Sequence, residues 1–387
     1  MKPKVVLVLD ANQRSALAAT RAIGCHTQYT VITADASNKA LAGHSKYSSD
    51  YITYPDPAVS IEPFIAWLVQ AIKQFNIDFL MPVTEITSRT ILENKYALPT
   101  CHLPFAEYKT VLNISNKSAL TERAAALGVP TPYSEHFTSA ADVDVSAITY
   151  PVVVKPSLSR IKANDQWLNT TVTVARNEAE LRQIFLEHDY LERQSFMLQE
   201  FINGYGAGLF CYYHKGHPIA FFAHRRIREK PPSGGVSVLS ESIPVREDMK
   251  RYATMILDDA KWHGVAMVEF RVDAQNMPQL MEINTRLWGS LQLSIDSGVN
   301  FPMLLLEGEL NEQLSAVNSF KTGQQLRWFL GDVDNLYLQL KDRNKNTTEK
   351  LQAVLRFLIP KINNRKHEVN RLGDLKPAWY ELKQYFK

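Results

Sequence analysis

The chain has 387 residues, 45% hydrophobic, 21% charged and 10% aromatic, with a formal net charge of +3. That length exceeds one ordinary core and predicts two or three packed subdomains, while the composition excludes disorder, fibre and membrane spans, the apolar runs falling far short of the roughly 20 residues a bilayer needs. The small net charge leaves no electrostatic footprint for nucleic acid, although Lys341 to Lys387 is locally basic. The start MKPKVVLVLDANQ enters a strand at once and carries no secretory signal, so a cytoplasmic protein is expected. Cys25, Cys101 and Cys211 are widely separated and read as reduced thiols, with neither zinc nor disulfide spacing.

The first hundred residues alternate strand and helix signals. Val5 to Leu9 is an apolar run suited to a buried parallel strand, followed by a helix over Ser15 to Ile23, a strand over Tyr29 to Thr33, a helix over Ile61 to Phe75 and a strand over Asp78 to Pro82. This is a doubly wound α/β unit. The turn Asp10-Ala11-Asn12-Gln13 lacks the GxGxxG glycines that let backbone approach a dinucleotide pyrophosphate, which disfavours an NAD dehydrogenase.

A second unit starts near Asn116. Lys117 to Leu127 reads as a helix stopped by Gly128 and Val129-Pro130-Thr131-Pro132, and Tyr150 to Pro156 as a β-branched strand with Lys155 at its end. Asn177 to His188 is expected to be helical, Phe196 to Ile202 a strand, Gly204 to Gly208 a tight turn, and Leu209 to His214 a further strand. Arg225 to Val238 looks like a loop, Met249 to Trp262 a helix, and the polar, aromatic-rich segment from about Leu326 a helical C-terminal appendage.

The chemistry concentrates in Val265 to Arg286, VAMVEFRVDAQNMPQLMEINTR. Folded symmetrically about Gln275 and Asn276, it sets Glu269 opposite Glu282, and the two-residue strand period puts Asn284 on the same side. Facing carboxylates among apolar neighbours repel unless a cation lies between them, so Glu269, Glu282 and the Asn284 amide oxygen are candidate ligands of a hard divalent metal. An exposed hairpin edge is the bland alternative. Lys155, at the end of a buried strand, suggests an anionic ligand, against the alternative of a solvated strand end, whereas Lys117 alone reads as a surface charge. Glu200 sits inside an apolar strand before a glycine turn, where an exposed edge could offer backbone groups to a purine. His224-Arg225-Arg226-Ile227-Arg228-Glu229-Lys230, followed by Pro231-Pro232-Ser233-Gly234-Gly235, looks like an anion clamp or a basic surface loop.

In this order, the helix from Lys117 ending in Gly-Val-Pro-Thr-Pro, the VVVKP strand, the QEFINGYGAG segment and the Glu269, Glu282-x-Asn284-x-Arg286 set resemble the ATP-grasp superfamily over roughly residues 1 to 310. The nearest likeness is to carboxylate–amine ligases of the carbamoyl phosphate synthase and biotin carboxylase type. The resemblance implies an α/β and α+β protein with a doubly wound pre-ATP-grasp domain over residues 1–112. It implies a small ATP-grasp subdomain over 113–195, a large one with the metal hairpin over 196–320, and the helical appendage over 321–387. It implies that Lys117, Lys155 and Arg225 contact ATP phosphates, that Glu200, Phe201 and Ile202 form the adenine hinge, and that Glu269, Glu282 and Asn284 hold Mg²⁺, with Mn²⁺ able to substitute. Arg286, Arg226 and Arg228 would steady the transferred phosphoryl group or the acceptor carboxylate. Ser157 to Asp165 departs from the family, with Arg160 or Lys162 standing where many members carry a glycine-rich lid.

The activity implied is ATP-dependent ligation, in which a carboxylate becomes an acyl phosphate that an amine attacks. Carboxylation or thioester formation through the same intermediate, and a nucleotide-binding regulator without turnover, are the alternatives. The expected partners are a small-molecule carboxylate and amine, with a homodimer as the candidate assembly.

Overall fold

The computed structural model describes residues 2–163, 166–232, 235–310, 314–359 and 364–386. The chain opens with β1 (Lys4–Val8), α1 (Arg14–Gly24), β2 (Tyr29–Asp35), β3 (Asp50–Thr53), α2 (Ile61–Phe75), β4 (Phe79–Met81) and α3 (Glu85–Glu93). These strands form a parallel sheet in the order β3-β2-β1-β4, in which β1, β2 and β4 are largely buried and β3 is the exposed edge. The doubly wound unit is therefore present.

Asp10, at the end of β1, is buried with a positive φ of 57°. Its carboxylate accepts the Val83 and Thr84 amides at 2.9 Å each and the Thr87 hydroxyl at 2.6 Å. Burial nevertheless raises its pKa above the ordinary aspartate value. This internal cap fixes the turn that presents Asn12, Gln13 and Arg14.

Two helices, α4 (Tyr108–Ser115) and α5 (Lys117–Ala126), lead to a second sheet. Its segment comprises β5 (Ser134–Phe137), β6 (Val152–Pro156), β7 (Arg160–Ala163), β8 (Gln166–Asn169), β9 (Thr173–Ala175), α6 (Glu178–Glu187) and β10 (Phe196–Glu200). The order β5-β10-β6-β9 is antiparallel, and one face packs Val152, Val154, Phe196 and Leu198 against Leu181 and Ile184 of α6. The loop expected after Lys155 contains the β7–β8 hairpin, anchored by an Arg89 Nη1 bond to the Arg160 carbonyl at 2.8 Å. Asn164 and Asp165 lie outside the described residues.

The third sheet is built from β11 (Gly204–His214), β12 (His217–Lys230), β13 (Val236–Ile243), α7 (Glu247–Asp259), β14 (Gly264–Asp273), β15 (Pro278–Asn284), α8 (Leu291–Ser297), α9 (Phe301–Glu309), β16 (Gln325–Arg327), α10 (Phe329–Lys341), α11 (Thr347–Leu358), β17 (Arg365–His367) and α12 (Lys376–Tyr385). Its strands run β15-β14-β11-β12-β13-β16-β17. Two expectations fail here. Gly204 to Gly208 is not a turn but the first half of β11, because Gly204 allows close strand approach: a Cβ there would lie 2.0 Å from the Val272 carbonyl. Arg225 to Val238 is not a loop, since β12 runs through Lys230 and β13 resumes at Val236, the charged side chains having masked the strand. Ser233 and Gly234 lie outside the described residues.

The C-terminal segment is mainly helical, as expected, but it also adds β16 and β17 to the large sheet. It folds back onto the first unit. Arg21 of α1 is buried and donates to the Asp374 carboxylate at 2.9 Å, to the Glu368 and Val369 carbonyls at 2.9 Å each, and to the Asp374 carbonyl at 3.1 Å. Asp374 also accepts the Ser45 hydroxyl at 2.7 Å and the Lys46 amide at 2.9 Å. Removing one partner of a buried ion pair leaves the other charge uncompensated, at a cost of about 3–5 kcal/mol. Arg21→Ala should therefore lower the melting temperature by several degrees and open the segment after Arg365 to proteolysis; calorimetry with limited digestion checks both.

Candidate active site

Register brings the acidic pair together by a route the sequence hides. Asp273 accepts the Gln275 and Met277 amides at 3.0 and 2.9 Å, and Asn276 takes a positive φ of 63°, so the turn is tighter than one symmetric about Gln275 and Asn276. Next to the turn Val272 pairs with Pro278 and Phe270 with Leu280; a bulge between Glu269 and Phe270 then absorbs Met281 and sets Glu269 opposite Glu282. The expected pairing holds because the bulge offsets the turn. Asn284 lies between the two acids, its Nδ2 3.2 Å from an oxygen of each.

Three cations surround this pair. Lys117 is the first residue of α5, whose cap is the Asn116 side chain accepting the Ala119 amide at 3.1 Å. Although it reads alone as a surface residue, Lys117 is only 3% exposed, and its Nζ lies 2.7 Å from the Ser159 hydroxyl and 3.4 Å from Glu282. Lys155 shares the inner face of the second sheet with Gln199; its Nζ donates to the Gln199 amide oxygen at 2.6 Å and lies 3.5 Å from the Met281 sulfur. Arg226 reaches Glu269 at 3.4 Å and Glu229 at 3.1 Å.

The titration behaviour follows from these neighbours. Burial, then the Glu282 charge, raises the Glu269 pKa against the pull of Arg226, Arg286 and Lys155. Burial also pushes Glu282 up, but Lys117, Lys155 and the Asn284 amide outweigh it, and its pKa falls below the usual glutamate value. Burial lowers Lys155 to about 8, with Glu282 opposing and Lys117 reinforcing.

Two carboxylates bridged by an amide N–H₂ group fit a hard divalent cation, because the amide donors occupy the place where positive charge is needed. Turned over, Asn284 offers Oδ1 beside the two carboxylates. Glu269, Glu282 and Asn284 are thus brought together.

Other expected residues divide. Arg286 lines a small cavity with Glu85, Lys117, Ser159, Glu282 and Asn284, and also a cleft of about 1030 Å³ with Asn12, Arg14, Lys39, Trp328 and Tyr380. Phe201 and Ile202 lie in the link between β10 and β11, where Arg271 Nε donates to the Ile202 carbonyl at 2.7 Å. Glu200 departs from its expected place: strand alternation puts its exposed side chain on the face opposite Lys155 and Gln199, beside Tyr133 and Tyr150. Arg225 and Arg228 also depart. Arg225 pairs with Glu241, and Arg228 with buried Asp332 at 2.6 Å, because bulges on both sides of Arg228 break the alternation that would align it with Arg226. Gln199, Ser159 and Met281 were missed, because each matters only through a contact made across the fold to Lys155 or Lys117.

A profile described as ATP-grasp in the biosynthetic pathway with Ter operon matches residues 192–331. An L-amino acid ligase from Bacillus licheniformis superposes with a TM-score of 0.63 at 18% identity, over 84% of this chain and 79% of its own. The fold is ATP-grasp. Similar ATP-grasp likeness extends to the biotin carboxylase domain of 2-oxoglutarate carboxylase from Hydrogenobacter thermophilus, in complex with MgADP, ADP and bicarbonate (TM-score 0.66, 15% identity, 84% and 74% coverage). N5-carboxyaminoimidazole synthetase from Staphylococcus aureus gives 0.62 at 14% identity, with 84% and 82% coverage. Comparison with curated protein sequences finds no match. Within the ATP-grasp fold, no helix among the described residues is long and apolar enough to cross a membrane.

The lowered Lys155 pKa has a stability consequence with a definite sign. The folded value, about 8, lies below the unfolded value near 10.5, so the cost of the buried ammonium is fully present below pH 8 and gone above about 10.5. Lys155→Met should stabilise the unliganded protein by about 2–3 kcal/mol at pH 7 and by much less at pH 10.5. Denaturant unfolding at the two pH values measures the difference.

Proposed function

We propose that the protein is an ATP- and Mg²⁺-dependent ligase that activates a small-molecule carboxylate as an acyl phosphate and joins it to an amine. The observation that carries this reading is the convergence of Glu269, Glu282 and Asn284 with Lys117, Lys155 and Arg226, while Arg286 opens the same cluster onto the cleft beside Asn12 and Arg14. Glu269, Glu282 and Asn284 would hold the divalent cation, which would supply charge neutralisation for the nucleotide. Lys117 and Lys155 bind phosphate oxygens, one from a helix start and one from a strand end. Arg286 orients an anionic group of the acceptor, and Arg226 balances charge at Glu269. No protein nucleophile is needed.

Carboxylation or thioester formation passes through the same intermediate and keeps every one of these roles; the identity of the acceptor separates them. A regulator without turnover is the remaining class, and the complete cationic and acidic set speaks against it. Purified protein incubated with Mg²⁺–ATP and a panel of carboxylates and amines is expected to release ADP, with mass spectrometry identifying the amide. Glu282→Gln should lower kcat/KM at least about 100-fold. The ligase reading fails if no acceptor accelerates ADP release above the Glu282→Gln background.

ATP affinity should also depend on pH through Lys155. Its charged form in the free protein is lost as pH rises through about 8, so the ATP Kd should climb towards tenfold per unit above that point. In Lys155→Arg the guanidinium stays charged and that transition should vanish; calorimetric titration from pH 6.5 to 9.5 follows both.

A further inference from the structure

At the end of the large sheet away from the acidic hairpin, several histidines converge. Gly208 pairs with Glu269, whereas Tyr213 pairs with Gly264, which separates these two points along β11 by about 17 Å. His214 closes β11, His263 precedes β14, and Glu309 is the last residue of α9. One ligand atom from each lies within 4.8 Å of the other two. His102, on the loop beside β4, brings Nδ1 to 3.8 Å from the second Glu309 oxygen.

We propose that His214, His263 and Glu309 form a binding site for a borderline divalent cation of the Zn²⁺ type, separate from the nucleotide site. Two imidazoles and one carboxylate are a common zinc donor set, and nitrogen ligands select against the Mg²⁺ favoured by an all-oxygen cluster such as Glu269, Glu282 and Asn284. His263 Nε2 and Glu309 Oε1 are 2.7 Å apart, so a ring nitrogen and a carboxylate oxygen already meet where a cation would take both.

Neighbouring groups support the set. The buried Tyr212 hydroxyl lies 3.2 Å from His214 Nδ1, so a proton on Nδ1 leaves Nε2 free to ligate. This packing depends on Gly308, where a Cβ would lie 2.1 Å from the Tyr212 oxygen and 2.9 Å from His214 Nδ1. The Lys215 amide donates to His263 Nδ1 at 3.1 Å, which puts the proton of the neutral ring on Nε2, facing Glu309. A cation bound at Nε2 would leave the ring proton on Nδ1, so the Lys215 hydrogen bond would be exchanged for a metal–nitrogen bond.

The test uses the full chain stripped of metal and dialysed against Zn²⁺ with millimolar Mg²⁺ present. Wild type should retain one more zinc per chain than His214→Ala, His263→Ala or Glu309→Gln, each of which should weaken that site at least about 100-fold. Glu282→Gln and His217→Ala should keep it. Co²⁺ added to wild type should give the intense visible bands of a tetrahedral site, a readout independent of whether any ligand variant folds. Gly308→Ala should shift those bands without removing a ligand. Equal zinc content in wild type and all three ligand variants, loss of the site in Glu282→Gln, or only the weak bands of six-coordinate Co²⁺, would overturn the assignment. Because the readout needs no nucleotide, it stands or falls independently of the ligase reading.

Discussion

Two glutamates facing each other across a hairpin are the constraint around which this molecule is arranged. Glu269 and Glu282 cannot both ionise near apolar neighbours without compensating charge, and the compensation comes from different elements: Lys117 from the start of α5, Lys155 from the end of β6, Arg226 from β12. Because each cation belongs to a separate piece of the fold, the electrostatics also tie the pieces together. The second sheet faces the hairpin through Lys155 and Met281, and α5 meets it through Lys117 and Glu282. A site distributed in this way is assembled only when the whole fold is assembled.

The same division explains which basic residues remain available for ligands. Arg225 and Arg228 belong to a dense basic run, yet each is held by an internal carboxylate, Glu241 or Asp332, and Asp332 is shared with Arg327 at 2.6 Å. The first pair lies within the large sheet, between β12 and β13, and the Asp332 pairs anchor α10 to it. Arg226 differs because the bulges around Arg228 place the two on different neighbours, one at the acidic hairpin and one at α10. Charge density along a sequence therefore overstates the charge a site can use.

Much of the architecture was legible because it rests on local patterns. The apolar run at Val5 marked a buried parallel strand, and the 3.6-residue spacing over Ile61 to Phe75 marked α2 to the residue. The Glu269 and Glu282 pairing was legible for a weaker reason, since the assumed symmetric turn and the real turn plus bulge give the same partner. What escaped depended on distant contacts. The glycines from Gly204 to Gly208 read as a turn because their purpose, close approach to β14, is invisible without the partner strand. Strands β16 and β17 are three residues each and acquire their identity only from the sheet edge they extend. Gln199 carried no signal because its value lies in reaching Lys155 across a strand pair.

Lys155 shows why this arrangement has to be held from outside. An ammonium whose pKa falls to about 8 opposes folding at neutral pH, even with Gln199 bonded to it and Glu282 nearby. The first cause of the shift is burial, and burial is also what strengthens an ammonium's attraction to an incoming anion, because little water remains to screen it. Stability at this position and affinity at this position therefore pull in opposite directions. The opposing stabilisation lies elsewhere: in the apolar faces of three sheets and in the clamp where Arg21 and Asp374 join the last segment of the chain to the first. That clamp also packs the C-terminal segment along the cleft, where Trp328 and Tyr380 stand opposite Asn12 and Lys39, so the structure that offsets the cost of the buried lysines is the same structure that shapes the cleft.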